Sequence, residues 1–421
     1  MKASISKSEV KGKISVPPSK SYTIRGLMCA ALAQGISEII NPLSSYDTEV
    51  ARDVLTKVGI NIQQRGYKWQ VTGGDFREPT TDLYCGESAA TLRFMTAVCS
   101  LVPGKCRLSS SPSLIRRPIK PLIQALRQLE VSCLYQEKEA LVIVEGSRLK
   151  GGIVELAGNI SSQFVSALLL ISPLAEKGIK IRLTTPLESQ PYVLMTLECL
   201  KKFGINAIYS RDLRQLEILQ QRYKPTKYSV EGDWSSASYF LALGALSGEV
   251  TVENLNPGSL QGDKMILNFL RDMGASVRIN KNSVTVSRSG LNSLQADLSD
   301  CIDLLPTMAA LAAAADGVSQ LAGIDRARLK ESNRVAALRE GLEKMGIKVS
   351  EEKDKLTITG SQPKGTTLDS KGDHRIAMAF SLLGTAVGGT TIDGAECVAK
   401  TYPGFWEALK SIGGKVEIDG K

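Results

Sequence analysis

Histidine is almost missing from this sequence: His374 is the only one in 421 residues. The eight cysteines (Cys29, Cys85, Cys99, Cys106, Cys133, Cys199, Cys301 and Cys397) never form a CxxC pair. Protein zinc sites draw on closely spaced Cys and His, so no metal site is expected, and the thiols read as reduced, buried, small hydrophobes. Aromatic residues make up only 5% of the chain, which leaves a core of Ala, Leu, Ile and Val. No apolar run approaches the roughly 20 residues that span a bilayer. The opening "MKASISKSEVKGKISV" carries charge but lacks the apolar centre of a secretory signal. A soluble, cytoplasmic protein without a membrane partner is the expectation. Lys and Arg exceed Asp and Glu, for a formal charge of +9, yet no basic block is interleaved with aromatics. That argues against nucleic acid. Single basic residues recur near loop–helix junctions instead, a pattern suited to a small, multiply anionic ligand.

A short phrase returns along the chain: "LTKVGINI" at Leu55, "LRQLEVSC" at Leu126, "LKKFGINA" at Leu200, "LRDMGASV" at Leu270, "LEKMGIKV" at Leu342 and "LKSIGGKV" at Leu409. The starts lie about 70 residues apart. Solenoid repeats run about 20–50 residues, so the unit is a whole α/β module. Leu and the apolar residue three positions on mark the buried face of a helix's last turn. The Gly that follows, missing only from the second copy, suits the left-handed residue that ends a helix. Strand-like stretches such as "SVTVSRSG" and "KLTITG" come next.

Polar loops then give way to Ala/Leu-rich helices. The six junctions are "PPSKSYTIRGLMCAALA", "CGESAATLRFMTAV", "GNISSQFVSALLL", "GDWSSASYFLALGAL", "DCIDLLPTMAALAAAA" and "GDHRIAMAFSLLG". Small residues let such helices pack tightly in the centre of a domain. Helix starts carry unpaired N–H groups and partial positive charge, so they attract phosphates and carboxylates. The expected architecture is α/β: two domains of three repeats each, with buried parallel helices, joined by two crossover segments. The first spans residues 14–230. The second joins 1–13 to 231–421, because the sixth repeat ends in "GGKVEIDGK" and needs the N-terminal segment to complete it. The substrates are expected in the cleft between the domains.

Eight strings occur in order along nearly the whole chain: "PSKSYTIRGLMCAALA", "RRPIKPLIQALRQL", "GNISSQFVSALLL", "SQPYVLMTLECL", "EGDWSSASYFL", "RLKESNRVAALREGLEKMG", "GDHRIAMAFSL" and "AKTYPGFWEAL". The chain thereby resembles the 3-phosphoshikimate 1-carboxyvinyltransferase (EPSP synthase) family. The resemblance implies two inside-out α/β domains and transfer of the enolpyruvyl group of phosphoenolpyruvate to the 5-hydroxyl of shikimate 3-phosphate, releasing phosphate. It also implies a monomer without metal or organic cofactor.

Such substrates carry phosphate and carboxylate charge and call for several cations, with Arg where a planar fork fits. Carried over motif by motif, the resemblance gives shikimate 3-phosphate to Lys20, Ser21 and Arg25, to Ser161, Ser162 and Gln163, and to Ser189, Asp303 and Lys330. Phosphoenolpyruvate falls to Lys20, Ala89, Arg93, Arg117, Gln163, Arg334, Arg375 and Lys400. The catalytic candidates are Asp303 as base toward the hydroxyl, Glu331 for proton exchange at the methylene carbon, Lys20 at the departing phosphate, and His374. In "DHR" Arg375 is the stronger anchor, Asp373 caps the helix, and His374 lines the site or positions a neighbour. Taken alone, "SSQ" is equally a helix cap.

The enzyme that makes the same transfer to UDP-N-acetylglucosamine is the nearest alternative. Its relatives carry "KN" where this chain has Lys20-Ser21, and a reactive Cys where this chain has Pro112. A non-enzymatic anion binder on the same scaffold is the other. One junction departs from the resemblance. Where relatives often read "GNSGTTMR" or "GNAGTAMR", this chain has "GESAATLR", so Glu87 replaces Asn, Ala89 replaces Gly and Ala90 replaces Thr. The Ala89 methyl crowds the family's glyphosate pocket. Glyphosate should therefore inhibit this protein less than a relative with Gly there, with phosphoenolpyruvate binding retained. Inhibition constants measured side by side check this; equal values count against it.

Overall fold

The computed structural model describes residues 1–420. They divide into two compact units, Pro18–Val230 and a second that joins Met1–Pro17 to the chain from Glu231 onward. Six four-stranded sheets lie among the described residues, three to each unit. Each sheet has the same plan: a parallel edge pair followed by two antiparallel strands. In the second repeat, Leu83–Tyr84 pairs parallel with Gly104–Ser109, which pairs antiparallel with Leu141–Gly146, and that with Ser132–Gln136.

The helices of the first unit are α1 (Lys20–Leu32), α2 (Tyr46–Lys57), α3 (Ala89–Val98), α4 (Lys120–Gln128), α5 (Ser162–Ile171) and α6 (Gln190–Lys202). Those of the second are α7 (Trp234–Ser247), α8 (Ile266–Asp272), α9 (Leu305–Ala313), α10 (Arg334–Lys344), α11 (His374–Val387) and α12 (Phe405–Ser411). The odd-numbered helices are the Ala/Leu-rich ones, buried on nearly every side. A helix apolar all round belongs in a core. Small residues permit the close approach. A Cβ at Gly26 of α1 would lie 2.5 Å from a Tyr228 ring carbon, so only glycine fits there. No helix among the described residues is long and apolar enough to cross a membrane.

Residues near the starts of neighbouring core helices touch. In the first unit the Arg25 guanidinium stacks 5.4 Å from the Phe94 ring, and Arg93 lies 5.0 Å from that of Phe164. In the second, the hydroxyls of Ser238 (α7) and Thr307 (α9) are 3.0 Å apart. Five of the six core helices start at a capping side chain: Ser19, Ser88, Ser161, Asp233 and Asp373 each accept from an N–H of the first turn. Such a cap stabilises a helix by about 1 kcal/mol. Asp303 is no cap; it lies on the 3-10 turn Ile302–Leu304 ahead of α9.

The sequence pattern puts the first boundary at residue 14, and the structure moves it to Pro17. The strand Val10–Ser15 pairs parallel with Gly248–Glu253 along its whole length, and those hydrogen bonds carry the segment into the second unit. The N-terminal strand Lys2–Ser6 lies between Thr390–Asp393 and Lys415–Asp419 and so completes the sixth sheet. In the first unit Lys227–Ser229 completes the first sheet beside Gly35–Ile40.

All six repeated phrases end the even-numbered helices, with their two apolar positions buried. Gly59, Gly204, Gly274, Gly346 and Gly413 take left-handed φ values of 82° to 100°. In the second phrase Glu130 occupies the same turn at φ 63°. An L side chain is strained there. Glu130→Gly should raise the thermal midpoint by roughly 2 °C, as read by calorimetry. An unchanged or lower midpoint would mean that Glu130 relieves its strain elsewhere.

Candidate active site

In the first unit the candidate residues gather at the starts of α1, α3 and α5. Lys20 opens α1, and its Nζ donates to Asp47 Oδ2 at 2.8 Å. One turn on, Arg25 is 2% exposed and spends its guanidinium inward: Nε on Thr196 Oγ1 (2.8 Å), Nη1 on the Ser21 carbonyl (3.0 Å) and Nη2 on the Tyr192 carbonyl (3.2 Å). Burial lowers its pKa, which nearby polar groups partly offset. Arg93, also buried, donates from Nη1 to Gln163 Oε1 (2.7 Å) and Ser161 Oγ (3.2 Å), and from Nη2 to the Pro118 carbonyl (2.7 Å). One guanidinium therefore ties the start of α5 to the "RRP" loop. Ser161 also caps α5 through the Gln163 N–H, so its cap and site roles share one loop. Ser162 is buried beside it. Arg117 is half-buried and Arg116 exposed on that loop. Ser189 opens α6 in a left-handed conformation, φ 54°, with its side chain buried. Ala89 is the first residue of α3, and Glu87 just before it accepts from Ser113 Oγ at 3.4 Å.

In the second unit a buried ion cluster joins the segments around residues 303, 331, 334 and 373. The Arg334 side chain, 1% exposed, donates from Nε to Asp373 Oδ2 (2.8 Å), from Nη1 to Asp303 Oδ1 (2.8 Å) and from Nη2 to Glu331 Oε2 (2.5 Å). Asp303 also meets Lys330 Nζ at 3.2 Å through Oδ1 and Arg375 Nη2 at 3.2 Å through Oδ2. Asp373 is wholly buried; it accepts from Ser332 Oγ at 3.1 Å and from the Arg375 N–H at 2.9 Å. Ions so deeply placed are tolerated only when paired and hydrogen-bonded. The energetics follow the geometry. Burial opposes the charge on Asp303, but Arg375, Lys330 and Arg334 hold its pKa well below the usual carboxylate range. Burial likewise opposes the charge on Arg334, and Asp373, Glu331 and Asp303 more than offset it, raising its pKa. His374 opens α11, 1% exposed, with Nδ1 3.9 Å from Asp373 Oδ1. Lys400 is buried at the end of the 3-10 segment Ala395–Lys400.

The structure thus brings Lys20, Ser21 and Arg25 together on α1, joins Arg93 to Ser161 and Gln163, and joins Asp303 to Lys330, Glu331, Arg334 and Arg375. It adds partners that the motifs do not reveal: Asp47 against Lys20, Thr196 and Tyr192 against Arg25, and Asp373 as an ion-pair partner besides a cap. An Asp in the first turn of an outer helix carries no local signal for such a role. None of the eight cysteines forms a disulfide, and burial pushes the thiols of Cys85 and Cys133 up to about 12.

These two repeat units, each with its cations drawn to the starts of buried helices, define a protein built for small anionic substrates. A sequence profile of EPSP synthase (3-phosphoshikimate 1-carboxyvinyltransferase) matches residues 5–409. The chain is 50% identical over 421 residues, all of both chains, to a 3-phosphoshikimate 1-carboxyvinyltransferase of Dehalococcoides mccartyi (strain ATCC BAA-2266 / KCTC 15142 / 195). It is 38% identical to that of Methanocaldococcus jannaschii over 97% of each chain. Among solved structures, an EPSP synthase from Acinetobacter baumannii superposes over 100% of both chains with a TM-score of 0.84 at 26% identity. The chain belongs to the EPSP synthase family.

Removing the central cation tests the ion cluster. Arg334→Met would leave the buried Asp373 and the largely buried Asp303 and Glu331 without their common partner, at a cost of about 3–5 kcal/mol. Because protonation relieves carboxylates stripped of a cation, the loss should be larger at pH 7 than at pH 4. Urea unfolding at both pH values reads it; a loss below 1 kcal/mol at pH 7 (roughly the worth of an exposed pair) would deny Arg334 this role.

Proposed function

We propose that this protein transfers the enolpyruvyl group of phosphoenolpyruvate to the 5-hydroxyl of shikimate 3-phosphate, giving 5-enolpyruvylshikimate 3-phosphate and phosphate. The observation that carries the reading is the gathering of Asp303, Glu331, Lys330, Arg334 and Arg375 into one ion cluster, in a chain that matches the family over residues 5–409. Lys20, Ser21, Arg25, Ser161, Ser162, Gln163, Ser189, Asp303 and Lys330 hold shikimate 3-phosphate. Lys20, Ala89, Arg93, Arg117, Gln163, Arg334, Arg375 and Lys400 hold phosphoenolpyruvate. The enzyme works as a cytoplasmic monomer.

The chemistry is addition followed by elimination. The hydroxyl attacks C2 while C3 gains a proton, forming a tetrahedral ketal; C3 then loses a proton and phosphate departs. Both steps need positioned groups that donate and accept protons. Asp303 is the base toward the hydroxyl. In the free protein three cations suppress its basicity. Arriving phosphate and carboxylate groups compete for Arg375 and Lys330, which releases Asp303 to accept a proton when a substrate is present. Glu331, held by Arg334, exchanges the proton at C3. Lys20 neutralises the leaving phosphate, and exclusion of water strengthens each of these interactions. His374 orients the start of α11 beside Arg375.

Phosphate release should require both substrates together; absence of release with both sinks the assignment. Asp303→Asn keeps the size of the side chain but cannot accept the proton. It should lower kcat by about 10²–10⁴-fold, the usual worth of a positioned acid–base group. Undiminished turnover would remove Asp303 as base while leaving the overall reaction intact.

A further inference from the structure

One buried carboxyl has no part in the scheme above. Asp263 lies on the 3-10 turn Gly262–Met265 and is 3% exposed. Its Oδ2 accepts from Ser235 Oγ, on the second residue of α7. Its Oδ1 is buried and has no hydrogen-bond partner among the described residues. The turn packs against α7, α8 and the turn that bears Asp303. The charged and titratable groups that act on Asp263 are Asp303 from that turn, Cys301 just ahead of it, Asp233 from the start of α7, and Arg375 from α11. Its neighbour Lys264 turns away, donating to the carbonyls of Pro257 (3.1 Å) and Ser259 (2.7 Å).

The turns that bear Asp263 and Asp303 pack together, and two neighbouring carboxylates poorly reached by water cannot both ionise cheaply. The competition is unequal. Asp303 has Arg334, Lys330 and Arg375 on its oxygens, whereas Asp263 has one hydroxyl and a bare oxygen. The negative charge settles on Asp303 and the proton on Asp263. We propose that Asp263 is a positioning residue for the transfer reaction: a buried carboxyl coupled to Asp303, whose own ionisation sets how strong a base Asp303 is. This inference rests on the enolpyruvyl-transfer reading. When Asp303 takes the hydroxyl proton its negative charge is lost, and Asp263 becomes more acidic than it was beside the ionised carboxylate. When Asp303 gives the proton up, its charge again raises the proton affinity of Asp263. The two groups titrate as a pair, not as separate sites.

The electrostatics agree with the geometry. Burial, and then the charge of Asp303, push the Asp263 carboxyl up to about 7, against the pull of Arg375 and the Ser235 hydroxyl. The sign of the stability effect follows. The unfolded chain releases this proton in the ordinary carboxyl range, near 3.8, and the folded chain only near 7. Asp263 therefore costs the fold nothing below that range. It destabilises progressively as pH rises through the window and then levels off.

Asp263→Asn retains a group that accepts from Ser235 but cannot titrate. In substrate-free protein, the parent's fall in thermal midpoint across this window should lose one proton's worth of slope in the variant. In the assay with both substrates, the limb of the kcat/KM profile near neutral pH should disappear in Asp263→Asn, with KM for shikimate 3-phosphate unchanged within about twofold. Ser235→Ala, which removes a hydrogen bond that favours the ionised form, should move that limb to higher pH. A purely structural role would lower activity at every pH and leave the limb in place. Identical slopes and identical limbs in parent and Asp263→Asn would overturn the proposal, as would a downward shift in Ser235→Ala. If the parent released no phosphate with both substrates, the transfer reading would fall, and the substrate-free slope would still decide whether Asp263 holds the proton.

Discussion

The buried guanidinium of Arg334 is the interaction on which the second unit's chemistry depends. Three carboxylates from three chain segments converge on it: Asp303 ahead of α9, Glu331 ahead of α10 and Asp373 ahead of α11. In water such pairs would contribute little. Out of water each member is costly alone and tolerable only in company. The fold must therefore deliver all of them at once, and it does so by packing α9, α10 and α11 together. Basicity at Asp303 then becomes a balance, set by how many cations touch it and by which neighbouring carboxyl holds a proton.

The first unit solves a similar problem with neutral partners. Arg25 and Arg93 reach into the spaces between core helices, where carbonyls, hydroxyls and an amide receive their N–H groups and aromatic faces cover them. In these bonds the two guanidiniums meet neutral groups, and the helix starts of this unit add a positive field of the kind that attracts phosphates. Lys20 is the exception, paired with Asp47. The division is physically sensible: cations answered by neutral groups suit binding, and cations balanced against carboxylates suit proton transfer.

Much of this was legible in the residues themselves. The sixfold return of Leu-x-x-apolar-Gly marks the outer helix ends, because a helix needs a buried last turn and a left-handed residue to stop. Ser19, Ser88, Ser161, Asp233 and Asp373 announce the core helices because an N-cap has few chemical solutions. The motifs "SKSYTIR", "SSQ", "LKESNR" and "DHR" point to the residues that cluster. Partners distant in sequence were not legible. Nothing near Asp47 says that it meets Lys20, and nothing near Thr196 says that it meets Arg25. Asp263 reads as an ordinary turn residue; only burial beside the Asp303 cluster alters its proton affinity. Glu130 shows the opposite case. The missing glycine is visible in the sequence, yet the left-handed turn persists because the buried Leu126 and Leu129 still require the chain to reverse there.

The sequence alone determined the repeat, its α/β character, the positions of the core helix starts and the chemical type of each site residue, since these follow from local periodicity, capping and charge. Tertiary structure decided which strand completes which sheet. Val10–Ser15 precedes α1 in the chain but pairs with the strand after α7, whereas Lys227–Ser229 precedes α7 but pairs with the strand after α1. That exchange moves the boundary to Pro17 and makes the second unit discontinuous. Its reason is physical: strand pairing is settled by hydrogen bonds between backbones far apart in sequence. Backbone groups are chemically alike in every residue but proline, so the side-chain pattern does not encode their partners. Proton affinity obeys the same limit, because the charge a carboxyl can hold depends on what surrounds it after folding.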